Sequence, residues 1–167
     1  MRNQIQRGGD SINEFLHQRG FLGTGANLAS DMTLTAMVLI ALLFTFGVAL
    51  ALKKRYQLHR WVQTTAASLN AIFVLWMMIL PFKNIVAPGI PGKLNQSFYA
   101  VASLHGLIGF AALTFGLFVT LRGNELVPKA LKFNNYKLFM RIAYGLYMLA
   151  TLLGVGVYLV WFGSGTP

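Results

Sequence analysis

"MTLTAMVLIALLFTFGVALAL", Met32 to Leu52, contains no charged residue. At 1.5 Å rise per residue, an apolar run of about 20 residues reaches across the hydrocarbon core of a bilayer. Moving outward along the chain, comparable runs follow at about Leu58–Leu80, Phe98–Leu121 and Lys137–Phe162. The sequence therefore predicts an all-α fold, an integral membrane four-helix bundle. Composition agrees: 56% of the residues are hydrophobic, 11% are charged, and the mean hydropathy is +0.58. A soluble domain carries charge on about a quarter of its residues. The connections are too short for a separate soluble domain. Residues 1–30 read as an extracytoplasmic segment, 31–162 as the four-span domain and 163–167 as a tail.

A net charge of +10 in 167 residues raises the question of nucleic acid. The basic residues are not gathered on one amphipathic face, so no nucleic-acid partner is expected. Nine lie around the first and third connections: Lys53, Lys54, Arg55, Arg60, Arg122, Lys129, Lys132, Lys137 and Arg141. Five lie on the other side, Arg2, Arg7, Arg19, Lys83 and Lys93. The positive-inside bias then predicts a multi-pass protein of the cell (inner or plasma) membrane with both termini extracytoplasmic. No cysteine is present, so thiolate and disulfide chemistry are excluded. The first run reads as an uncleaved anchor rather than a signal peptide.

Ahead of the first span, Ser11 and Glu14 read as a capping box for a short amphipathic helix with Ile12, Phe15 and Leu16 on one face and Gly20 as its stop, either interfacial or docked on a partner subunit's exposed loop. Ser30 and Asp31 are expected to cap the first span. The second connection, "PFKNIVAPGIPGKLNQ", contains Pro81, Pro88 and Pro91 and is expected to be a bent coil.

Asp31 as a cap and Glu125 in a loop leave no carboxylate within a span. That argues against a proton pump or an ion-coupled transporter, which needs an intramembrane acid. On the second span His59, Gln63 and Asn70 fall within about 40° of one another on the helical wheel and form a polar stripe facing the bundle interior. Such a stripe serves interhelical hydrogen bonding or forms a cofactor-facing wall. Lys137 and Arg141, four residues apart, are expected to snorkel to lipid headgroups, the alternative being that they bind a cofactor's carboxylates or anionic lipid. On the third span Ala102, His105, Gly109, Ala112 and Gly116 share a face whose small residues admit either another helix or a flat macrocycle. If that face is a helix contact, Gly109→Leu should overpack it. Ala150 and Gly154 supply a second small-residue pair, on the fourth span. His59 and His105 differ in depth by roughly 20–25 Å, too far to ligate one iron.

The segments "LHRWVQTTAASLNAIF" (58–73), "FYAVASLHGLIGF" (98–110) and "YKLFMRIAYGLYMLATLLGVGVYLVW" (136–161) resemble successive segments of the CtaM-like family. These are small four-helix membrane proteins of largely unknown function, linked to haem–copper oxidase assembly. The resemblance spans Leu58 to Trp161. It matches His59 to a family histidine opening the second span and His105 to one in the third. The family's histidines closing the second span and opening the fourth correspond to Pro81 and Tyr136. Four histidines would make one pair near each membrane face; here each pair lacks a member.

Together these features predict a non-catalytic accessory or scaffold subunit, or an assembly factor, of a respiratory or other electron-transfer membrane complex. Its partners would be the lipid bilayer and other integral membrane subunits, it would carry no cofactor, and no residue is assigned to catalysis or metal. The alternative is a b-type haem or other tetrapyrrole-binding electron-transfer protein with His105 as axial ligand and His59 as a weaker candidate. An enzyme or transporter acting on quinone lacks a converging acid–base pair.

Overall fold

The computed structural model describes residues 14–131 and 134–163. It contains four helices long and apolar enough to cross a membrane: α1 (Leu28–Leu52), α2 (from Tyr56), α3 (Ser97–Gly123) and α4 (Tyr136–Phe162). Among the described residues there is no strand beyond an isolated antiparallel bridge between Arg19 and Asn27. Residues 14–17, including Glu14, Phe15 and Leu16, are helical. Ser11 of the expected capping box and Ile12 of the apolar face lie outside the described residues, as does the 164–167 end of the tail.

The start of α1 corrects the expected cap. Asn27 is the N-cap, its side-chain oxygen accepting from the Ser30 amide at 2.9 Å. This places Asp31 inside the first helical turn, fully buried. A carboxylate therefore does lie within an apolar helix. At the other end of α1 the chain turns sharply, with the Arg55 amide bonding the Leu50 carbonyl at 2.9 Å and the Lys54 amide bonding Ala51 at 3.0 Å. Lys54 takes the left-handed conformation (φ 59°) that such a closure requires. The same closure follows α3, with Leu126 bonded to Leu121 at 3.0 Å and Glu125 at φ 65°.

The second connection is the largest correction. Instead of a coil from Pro81, the helical path runs from Tyr56 to Gly89, 34 residues. It is α-helical over Tyr56–Phe73, π-helical over Val74–Met78, α-helical again over Ile79–Pro81, π-helical over Phe82–Val86 and 3-10 over Ala87–Gly89. Proline lacks an amide and crowds the preceding turn. The wider π turns on both sides accommodate it, with the Ile79 amide reaching Val74 and the Ala87 amide reaching Phe82. Next to lipid, continued helix also keeps backbone groups paired where a coil would leave them without partners.

The bundle is built from two hairpins. Helix α3 packs most extensively on α4 and α1 on α2, while α1–α4 and α2–α3 meet less extensively. The central core is small: Ile40, Ala41, Ala66 and Tyr147, flanked by Leu43, Phe44, Phe73 and Met148. The Phe44 and Tyr147 rings lie 4.4 Å apart, centroid to centroid. Outside, large apolar side chains such as Leu42, Trp76, Phe110 and Leu152 are exposed, the surface that a bilayer rather than water solvates.

Close helix approaches occur at some of the expected small residues and not at others. Ala102 and Ala150 are buried. A Cβ on Gly154 would lie 2.7 Å from Met37 Sδ and 3.0 Å from His105 Cε1, and one on Gly47 would lie 2.7 Å from Gln63 Nε2. The Ala150 and Gly154 pair is thus occupied inside the bundle. A Cβ on Gly109 or Gly116 would meet nothing within 4 Å. The expectation that these two bring helices together is corrected; the closely packed glycines of α3 are Gly106, against Phe82, and Gly123, against Tyr136.

Candidate functional site

Between the two hairpins, at the end carrying the basic connections, lies a cavity of about 660 Å³ lined by all four helices. Its mouth carries four cations. Lys54 comes from the closure after α1 and Arg60 from the first turns of α2, while Lys137 and Arg141 come from the start of α4. Tyr136 also lines it, at the fourth helix's first residue. Deeper, the wall is largely apolar, with Phe44, Val48, Leu113, Leu117 and Met140, and reaches Tyr147 in the core. Ala112 and Gly116 belong to this wall. Gly116 is thus open because it faces the cavity.

The polar stripe of α2 lines the same space. His59, 8% exposed, bonds the Gly47 carbonyl through Nδ1 at 2.7 Å. A carbonyl can only accept, so Nδ1 is the donor in this bond. Four residues on, the Gln63 amide donates to the Phe44 carbonyl at 3.2 Å. Both bonds tie α2 to α1, and the missing side chain at Gly47 leaves room for them. Asn124 donates to Thr64 Oγ1 at 2.9 Å and to the Thr120 carbonyl at 2.9 Å, closing the α2–α3 side of the same end. Asn70 lines the cavity, and its side-chain amide makes no hydrogen bond among the described residues.

His105 is elsewhere. Its Nδ1 donates to the Ala150 carbonyl at 2.9 Å, across the α3–α4 interface, and its ring abuts Gly154. It is not among the residues lining the cavity. The two histidines thus bond different helices, His59 bonding α1 and His105 bonding α4. Among the described residues no three His, Cys, Asp or Glu side chains stand together as a metal-holding group.

A second polar cluster, which sequence reasoning missed, sits at the opposite end. The Asp31 Oδ2 accepts from the Leu22 amide at 2.7 Å and Oδ1 from the Tyr158 hydroxyl at 2.5 Å. Thr24 Oγ1 lies 2.6 Å from the same hydroxyl. Backbone bonds from Gly20 to Ala26 (2.9 Å) and from Leu28 to Gln18 (2.8 Å) close residues 18–28 into a loop over this carboxyl. Gly20 is required there, since a Cβ would collide with Asp31. The available signal was an acid beside an apolar run, but its partner Tyr158 is a hydroxyl hidden in another apolar run.

No protein-family model, curated protein or solved structure matches the chain.

Proposed function

We propose that this chain is a non-catalytic accessory or scaffold subunit, or an assembly factor, of a respiratory or other electron-transfer membrane complex. One observation carries the non-catalytic part. His59, Gln63 and His105, the polar side chains best placed for chemistry, each donate to a backbone carbonyl of a neighbouring helix. Polar side chains used in this way hold a membrane bundle together. The electron-transfer part rests on the resemblance of Leu58–Trp161 to the CtaM-like family. Affinity purification in a mild detergent, followed by mass spectrometry, tests the reading. Integral subunits of an electron-transfer complex should co-purify, and deleting the protein should lower the amount of that complex. Recovery of the protein alone, with every such complex at its normal level, refutes it.

A second reading is a b-type haem or other tetrapyrrole-binding protein, and it draws on the same bonds. An Nδ1 proton held by a carbonyl orients a ring so that Nε2 can ligate a metal. His59 fits such a group better than His105, because it lines a cavity that also holds Lys137 and Arg141 for carboxylates. An absorption spectrum decides between the readings. A Soret band lost in His59→Ala or His105→Ala would put the tetrapyrrole first.

A further inference from the structure

The geometry points to the cavity between the hairpins as a binding site for one anionic phospholipid, its phosphate among Lys54, Arg60, Lys137 and Arg141 and its chain along the apolar wall toward Tyr147. This goes beyond the accessory reading and does not depend on it.

Charge, depth and composition select this occupant. No carboxylate lines the cavity, and none of the four cations pairs with a carboxylate among the described residues. Like charges that line one opening repel one another, and an anion placed among them relieves that repulsion. Free phosphate would satisfy the mouth alone. The lining continues down α4 from Lys137 to Tyr147, ten residues or about 15 Å along the axis. Water filling a slot walled by Phe44, Val48, Leu113, Leu117 and Met140 would leave that apolar surface hydrated, whereas an acyl chain removes it from water. The weaker contact of α2 with α3, compared with the packing inside each hairpin, gives such a chain a side on which to enter.

Two glycines supply the test. Gly116 lines the cavity and a Cβ there meets nothing within 4 Å, so Gly116→Leu grows into the slot without a backbone clash. Gly109 is equally open but is not among the lining residues, so Gly109→Leu is the control. The purified protein is titrated in detergent with fluorescent phosphatidylglycerol, with the same label on phosphatidylcholine, and with inorganic phosphate as competitor. The expected result is one phosphatidylglycerol per chain, bound at least tenfold more tightly than phosphatidylcholine. Gly116→Leu should abolish that binding with unchanged thermal stability, and Gly109→Leu should keep it. The double variant Lys137→Gln/Arg141→Gln should weaken phosphatidylglycerol at least fivefold and leave phosphatidylcholine unchanged.

Equal binding of the two lipids overturns the proposal, as does undiminished binding to Gly116→Leu. Full displacement of the lipid by millimolar inorganic phosphate would make the mouth a free-anion site and overturn it too. A tetrapyrrole recovered in the cavity, seen by its Soret band, does the same. Should Gly116→Leu not fold, the double variant decides, since it alters only exposed side chains. Loss of lipid with intact co-purification of partner subunits would separate this site from the accessory reading.

Discussion

Replacing Tyr158 by phenylalanine removes a single hydroxyl. The ring should stay where it is, packed against Phe162 at 5.2 Å. Asp31 then keeps only the Leu22 amide, and Thr24 loses its partner on α4. Two scales bear on the cost. Hydrogen bonds between side chains in membrane bundles average about 0.6 kcal/mol with a ceiling near 1.7, whereas stripping one partner from a buried polar group costs about 1–3 kcal/mol. Asp31 is 0% exposed and Tyr158 8%, so no water stands ready to replace the lost donor, and the second scale applies. We expect a loss of about 2 kcal/mol, above the membrane average. Reversible unfolding in mixed micelles, followed by circular dichroism, measures it. A double-mutant cycle with Asp31→Asn should give a coupling of at least about 1 kcal/mol. Trypsin should also cleave after Arg19 faster in the variant, because residues 18–28 lose the Thr24 hydrogen bond to α4. A cost below about 0.5 kcal/mol with no coupling would refute the argument, and would mean that the pair contributes no more than an ordinary surface contact.

Gly154→Leu should destabilise the bundle by about 1–3 kcal/mol, because its first added carbon already meets Met37 and His105. Gly109→Leu should change the same unfolding midpoint by less than about 0.5 kcal/mol. His105→Ala should cost about 1 kcal/mol and His105→Gln less, since an amide can still reach the Ala150 carbonyl; equal costs would show that packing, not the hydrogen bond, holds this residue. Topology follows from the nine basic residues at one end and five at the other. An impermeant thiol reagent on intact cells should label Ile90→Cys and spare Gln57→Cys, and the reverse pattern would invert the orientation.

The four spans were legible because lipid imposes a length and a composition on any crossing helix, and both can be counted in the sequence. Their ends were less so. Pro81 read as a stop because proline ends helices in water, yet π turns on either side carry the chain on to Gly89. The inward stripe of His59, Gln63 and Asn70 was visible as polar residues on one face, but its acceptors were not. Gly47 and Phe44 contribute only backbone carbonyls, which every residue has. Helix α3 is apolar on every side, so periodicity could not separate Gly106, where an added Cβ would meet Phe82, from Gly109 and Gly116, where it would meet nothing within 4 Å. The cavity required all four helices to be placed, and Asp31 required Tyr158, 127 residues away.

That last separation also has a temporal meaning. Ribosomes deliver a chain from its N-terminus, so Asp31 enters with α1 and must wait for α4 before Tyr158 arrives. Through the insertion of the first, second and third helices its Oδ1 lacks the phenolic donor that the finished bundle supplies. A chain interrupted before the fourth helix would therefore hold a polar group unsatisfied beside lipid, a state that is costly and chemically different from the completed product. The contact between α1 and α4 thus distinguishes an assembled four-helix bundle from one that lacks α4.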